Sequence, residues 1–352
     1  MNLLDVINEL VEERDIDKAT LINVVLEGML AAYKKRYPHY ELRINFDAAS
    51  GKLLIDIQKD VVSSVADEAI QISLRKARSI DGKIGLGEKI WVPFEGIIGR
   101  VEILKARQII AQKIAAIEAR IVYDLFKSKE GAVVQGAIYK NERAGTVVKL
   151  QDAYAFLPRS LSIPDEKLVP GYPIKVLLKE VLLEPRNENQ LILDRVSIDF
   201  LKKLFELEIP EIFERLVDIK KIVRDPGYKS KVLVSSHDAN IDPVGTCVGV
   251  GGVRIKPILK ELGGEKIDII DANASQEELV KNSLKPAEIN RVEVLNNVAR
   301  VWLDDEQRSL AIGKMGKNIA LASALFGIEI ELVENVSARE KELLMNVNKQ
   351  DE

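Results

Sequence analysis

The turn Gly-x-x-Gly occurs twice, as Gly249-Val-Gly-Gly252 and as Gly313-Lys-Met-Gly316, at an offset of 64 residues. At that offset Gly249 aligns with Gly313, Gly252 with Gly316, Ile255 with Ile319 and Gly263 with Gly327. Each turn leads into a helical stretch and then a short alternating strand, Lys266–Ile270 and Ile328–Leu332. A helix and two strands precede each turn. In the first copy these are Pro210–Val217, then Lys220–Arg224 and Lys231–Ser235 around Asp225-Pro-Gly227. In the second they are Ser275–Leu284, then Arg291–Leu295 and Ala299–Leu303 around Asn296-Asn297. Such self-similarity at a fixed period means two copies of one supersecondary unit.

Backbone N–H groups at a helix start attract phosphate, so the glycines could cradle a nucleotide or clamp a nucleic-acid backbone. A dinucleotide fingerprint needs G-x-G-x-x-G directly after a strand. Here the closing position is Arg254, and the preceding Asp242-Pro243 starts a short helix, with Asp as N-cap and Pro at the first helical position. No G-x-x-x-x-G-K-[ST] occurs in the chain. The order α-β-β-α-GxxG-α-β resembles the bacterial type II KH domain, an RNA-binding module. The resemblance implies a close approach of the RNA backbone to the glycines, which a Cβ would block. Residues 198–274 and 275–337 are the expected first and second KH domains, followed by a tail, 338–352.

Charge tempers this reading. The chain carries a net charge of −4 over 352 residues, and residues 198–352 hold 22 Lys and Arg against 27 Asp and Glu. Long-range attraction cannot drive binding there, so contacts must be local and few. Local basic sites exist: Arg254, Lys256 and Lys260 follow the first turn, and Arg308, Lys314 and Lys317 surround the second without an acid between Gln307 and Ile319. The expected RNA contacts are therefore Gly249, Val250, Gly251, Gly252, Arg254 and Lys256 in the first copy. In the second they are Arg308, Gly313, Lys314, Met315, Gly316, Lys317 and Asn318.

Residues 130–197 read as five short strands: Ala132–Lys140, Thr146–Leu150, Ala153–Leu157, Ile174–Val181 and Gln190–Leu193. Turn residues separate them, which suggests a small Greek-key barrel of the OB kind. It resembles the OB barrels repeated in the ribosomal S-one protein. Lys140, Arg143 and Arg159, with Tyr139, Tyr154 and Phe156, are candidate RNA contacts there; core packing explains the aromatics equally well.

Residues 1–129 open with helices Leu3–Arg14 and Lys18–Tyr37, the second capped by Asp17. A hairpin, Glu41–Phe46 with Lys52–Gln58, follows, then a strand around Ile90–Phe94 and a long helix, Val101–Lys127. The apolar residues Ile103, Ile110, Ile114, Ile117, Ile121 and Leu125 lie on one stripe of that helix. With 20 basic and 19 acidic residues, this half suits protein contacts better than nucleic acid. The fold class expected is multidomain α+β: a helical α/β N-terminal domain, an OB-type barrel and two tandem KH domains.

The order of these parts resembles the NusA family of bacterial transcription elongation and termination factors. The runs Leu204–Ile212, Val223–Lys231, Asp242–Gly249, Glu261–Asp268 and Ala311–Ser323 resemble stretches of that family. The first turn, Gly-Val-Gly-Gly, lacks the basic residue of many relatives, so its phosphate grip would lean on Arg254. The chain also ends near Glu352 without the acidic repeats some relatives append, and recruitment through those is not expected. The resemblance implies an N-terminal domain docked on RNA polymerase, with barrel and KH domains receiving nascent single-stranded RNA. It implies effects on pausing, termination and antitermination, with further termination or antitermination factors as partners. Weak RNA modules suffice when tethered to one protein anchor.

Other classes fare worse. Two histidines and a single cysteine, Cys247, offer no metal-ligand spacing and no nucleophile–base pair. Neither catalysis, a metal nor a cofactor is expected, and Cys247 reads as core. Asp304, Asp305 and Glu306 stand at a helix start, where the dipole accounts for them. One cysteine, no signal peptide and no long apolar run point to a cytoplasmic protein without membrane contact, and a monomer is expected. A ribosome-associated or translation-control RNA binder shares every RNA feature, and only residues 1–129 discriminate against it.

Overall fold

The computed structural model describes residues 8–12, 16–47, 50–151, 153–186 and 189–334. The expected helix Leu3–Arg14 and the tail 338–352 lie largely or wholly outside the described residues. The chain forms two compact units, Met1–Leu125 with Leu183–Pro185, and Phe126–Leu182 with Arg186–Glu352.

In the first unit, helix α1 (Lys18–Arg36) starts where Asp17 accepts the Thr20 N–H at 2.9 Å. A sheet of β1 (Leu42–Asp47), β2 (Lys52–Val62), β3 (Gln71–Ser73) and β4 (Lys89–Pro93) centres on β2. The short helix α2 (Leu74–Ile80) and β3 were not evident from periodicity; both are too short to show it. Apolar side chains Tyr33, Leu42, Ile57, Val61 and Val92 close the core, and Tyr33, Tyr37 and Tyr40 meet Phe94 edge-on. The long helix α3 (Arg100–Phe126) approaches α1 closely at Gly28, where a Cβ would fall 2.4 Å from Ile110 Cγ1. The apolar stripe on α3 is only partly buried. Ile114 and Ile117 pack against Ile16 and Leu21, whereas Ile103, Ile121 and Leu125 are exposed. At 27 residues α3 outruns the 19-residue helix it packs against, so its ends find no apolar partner on α1.

In the second unit, β5 (Val133–Asn141), β6 (Gly145–Lys149), β7 (Tyr154–Pro158), β8 (Pro173–Arg186) and β9 (Asn189–Asp194) close a barrel in the order β5-β6-β7-β9-β8. Then comes α4 (Ile198–Glu208), whose Ser197 cap accepts the Phe200 N–H. Its apolar face, Phe200, Leu201, Leu204 and Phe205, sits in one core with Ile163 and Leu177 of the barrel and Val232, Val234 and Ile258 beyond it. Helix α4 thus supplies four buried side chains to the core of the first repeat. The first sheet joins β10 (Val217–Asp225) antiparallel to β11 (Lys229–Ser236), which pairs in parallel with β12 (Lys266–Asp271). Helices α5 (Pro210–Phe213), α6 (Pro243–Val248) and α7 (Ile255–Glu261) complete it. The second repeat has the same plan. Helix α8 (Gln276–Ser283) precedes β13 (Arg291–Leu295) and β14 (Val298–Leu303), then α9 (Asp305–Ile312), α10 (Lys317–Phe326) and β15 (Glu329–Glu334), with β14 and β15 parallel.

Arg195, almost wholly buried, joins barrel to first repeat. Its guanidinium donates to Glu166 of the barrel, to Glu261 Oε1 at 2.7 Å and Glu261 O at 2.8 Å, and to the Lys175 carbonyl. A second buried pair, Arg224 with Glu265, anchors the β10–β11 turn, and Glu265 also accepts from Ser230 and the Gly227 N–H.

Candidate nucleic-acid interface

The two GxxG turns share one backbone path. Gly249 and Gly313 each leave their helix with φ 73°, Gly251 (φ 62°) matches Met315 (φ 54°), and Gly252 (φ 77°) matches Gly316 (φ 76°). Positive φ at three of the four positions of each turn explains the glycines, since a Cβ is disfavoured there. Met315 bears that cost with a full side chain. The tips point outward: Val250 is 96% exposed and Met315 85%. Each turn runs on into a helix, α7 or α10; the N–H groups of Gly252, Val253, Arg254, Gly316 and Lys317 are bonded to nearby carbonyls, so what stands open to a phosphate chain is the exposed tip of the turn.

The side chains expected to assist them separate into two groups. Lys256 and Lys314 are exposed, and Lys317 is half-exposed, ion-paired to Asp225 at 2.6 Å and set over the Tyr228 ring at 5.1 Å. Arg308 is half-buried on α9. The other two turn inward. Arg254 donates to the Thr246 carbonyl at 2.8 Å and to Glu211 Oε1 at 2.8 Å, so its guanidinium is engaged within the first repeat. Asn318 is 2% exposed. Its amide donates to the carbonyls of Leu310, Ala311 and Leu284, and its oxygen accepts from Lys229 at 3.1 Å and Lys231 at 2.8 Å. The expectation of an RNA contact at Asn318 is therefore corrected: the second helical position faces the helix behind the turn, and no polymer can reach it. The first turn cannot lean on Arg254 as expected without giving up two hydrogen bonds.

On the barrel, Tyr139 and Tyr154 are both exposed, their rings 4.9 Å apart, so Tyr154 is surface and not core. Lys140 is paired with Glu142 at 2.8 Å, and Arg143 is exposed at the β5–β6 turn. Arg159 borders a cleft of about 790 Å³ with Asn141, Glu142, Ser162 and Asp165. A neighbouring cleft of about 730 Å³ runs between the barrel segment at Pro164 and Lys167, the turn at Tyr228, and Lys314, Met315 and Lys317 of the second GxxG. The barrel and the second turn thus border one cleft, in which Lys167, Lys260 and Lys314 face Asp165, Glu166 and Asp225. The sequence did not disclose Lys229 and Lys231. Two lysines at alternate strand positions read as a solvated face, and only the docking of the second repeat buries them.

Cys247 is buried in the core of the first repeat, and burial, with Glu211 nearby, pushes its thiol up to about 12. Among the described residues no group of three or more His, Cys, Asp or Glu is placed to hold a metal ion, and no helix is long and apolar enough to cross a membrane.

Family models match three stretches of the chain. The NusA N-terminal domain family matches residues 2–120, the NusA-like first KH domain residues 195–272, and the NusA-like second KH domain residues 276–340. The transcription termination/antitermination protein NusA of Thermus thermophilus is 35% identical over 346 residues, spanning 94% of this chain and 89% of its own. That of Bacillus subtilis is 32% identical over 96% of this chain and 92% of its own. That of Borreliella burgdorferi is 36% identical over 91% of this chain and 67% of its own. By domain order, fold and sequence, this chain belongs to the NusA family of transcription termination/antitermination proteins.

Proposed function

We propose that the two GxxG turns hold the backbone of nascent single-stranded RNA while residues 1–129 dock on RNA polymerase, and that the protein thereby modulates pausing, termination and antitermination. The observation that carries the RNA half is the shared conformation of the turns at Gly249–Gly252 and Gly313–Gly316, both exposed at the tip and both opening a helix. Such turns admit a sugar-phosphate chain and leave bases free for neighbouring grooves. Lys314 supplies the charge at the second turn and Lys256 at the first, while Tyr139 and Tyr154 offer a stacking platform on the barrel. No step in this reading makes or breaks a covalent bond.

The polymerase half rests on the match of residues 2–120 to the NusA N-terminal domain family. A translation-control binder has no use for that domain. Co-purification of the chain with RNA polymerase, followed by a pausing assay on a hairpin template, tests this half. Retention of polymerase and a changed pause lifetime are expected; loss of both on deleting residues 1–129 ties the effect to that domain. No retention by the full chain would contradict it.

A further inference from the structure

Arg254 and Asn318 stand at the same position of the repeat, and each ties its turn to the helix before it, through the carbonyls of Thr246 and Leu310. They differ in what holds them. Arg254 is held by Glu211 of its own repeat. Asn318 is held by two lysines of the other repeat, Lys229 and Lys231 on β11. We infer that Lys229 and Lys231 of the first KH unit are positioning residues for the GxxG turn of the second, acting through Asn318.

Lys231 gives its three protons to Asp268 at 2.8 Å, the Ser283 carbonyl at 2.6 Å and Asn318 at 2.8 Å. Lys229 is ion-paired with Asp268 at 3.0 Å and donates to Asn318 at 3.1 Å and the Lys285 carbonyl at 3.3 Å. An ammonium has three donors and no acceptor, so Lys231 is fully engaged. One carboxylate cannot neutralise two cations; the carbonyls of Ser283 and Lys285, at and just past the C-terminal end of α8, supply the remainder. Burial pushes the Lys231 ammonium below the usual lysine range, with Asp268 opposing the shift. With its oxygen pinned, the Asn318 amide must point its N–H groups at Leu310, Ala311 and Leu284. Gly313 then lies directly on the brace: a Cβ there would fall 2.6 Å from Asn318 Cβ. The path runs from Asp268 through the lysines and Asn318 to the end of α9, where the turn begins, without touching its exposed tip.

This rests on RNA binding at the turns, so the test separates the two. Amide exchange at Gly313–Lys317 is measured without RNA in Lys231→Met and in the milder Lys229→Met, with exchange in β13 and β14 as the check that the repeat is folded. RNA binding is measured by anisotropy in the full chain for Val250→Asp and Lys314→Asp, each alone and combined with Lys231→Met. Faster exchange confined to the second turn is expected. So is a roughly tenfold loss of affinity in Lys231→Met, the scale of one charged hydrogen bond. In that background Lys314→Asp should add little, while Val250→Asp keeps its full effect. Unchanged exchange at the second turn in both lysine variants, or full additivity of Lys231→Met with Lys314→Asp, would overturn the inference. If neither Val250→Asp nor Lys314→Asp weakens RNA in the otherwise unaltered chain, the RNA reading itself falls, and the exchange result still decides whether the brace exists.

Discussion

Arg254 Nη1 meets the carbonyl of Thr246 at 2.8 Å, and 64 residues on Asn318 Nδ2 meets the carbonyl of Leu310 at 3.3 Å. The repeat conserves a job while changing the residue that does it. A long cation and a short amide both satisfy a carbonyl that the end of a helix leaves without a partner.

The brace separates geometry from charge in RNA binding. Arg254→Met should lower affinity a few-fold by loosening the first turn, with the salt dependence unchanged, because no phosphate contact is lost. Lys314→Asp should lower both affinity and slope, by about 0.7 in log–log terms per contact for single strands. Anisotropy titrations at several salt concentrations read both quantities. A reduced slope in Arg254→Met would show that its guanidinium reaches phosphate after all.

Met315 carries a full side chain at φ 54°, where the first repeat has Gly251 at φ 62°. Replacing Met315 by Gly should leave stability unchanged or raise it by up to about 1 kcal/mol, relief of the left-handed strain exceeding the entropy a glycine adds to the unfolded chain. Gly251→Val should lower it by about 1 kcal/mol or more, since a β-branched residue is placed in that region. Urea melts decide the pair, and a clear loss in Met315→Gly would refute the strain argument.

Arg195 bridges the barrel and the first repeat with two carboxylates and two carbonyls around a buried guanidinium. Removing one partner of a buried charge cluster typically costs about 3–5 kcal/mol. Arg195→Met should therefore shift the urea midpoint strongly and split the melting of barrel from that of the repeat. A single, unshifted transition would contradict the joint.

Cys247 is buried, with its thiol raised to about 12 from the ordinary 9.0. Folding thus disfavours the thiolate. The native state gains nothing from this below the unfolded value, and stability falls as pH rises from there toward 12, by at most about 1.4 kcal/mol per unit. At pH 8 iodoacetamide should label Cys247 only as fast as the first repeat opens, so labelling should follow the urea transition. Rapid labelling of the native protein would place the thiol at the surface.

The features legible in the sequence are those set by local chemistry. Gly249, Gly252, Gly313 and Gly316 announce positive φ, Asp17 and Asp242 announce helix starts, and alternation in residues 130–197 announces a barrel, because each depends on neighbours in the chain. What stayed hidden depends on docking. Lys229 and Lys231 look solvated until the second repeat covers them; Asn318 looks like part of a basic turn until its direction is seen; the stripe on α3 looks uniformly buried until the length of its partner is known. Charge was the least informative guide to contact, since Arg254 and Lys140 are engaged with Glu211 and Glu142 of the same chain.

On the proposal above, Gly313–Gly316 and Gly249–Gly252 grip one RNA strand. The most direct measurement of that grip is the affinity of the full chain for single-stranded RNA after Lys314 and Met315 are both replaced by Asp, across a range of salt. A folded variant with weaker binding and a shallower salt slope is predicted. A folded variant with the affinity and slope of the parent would contradict it.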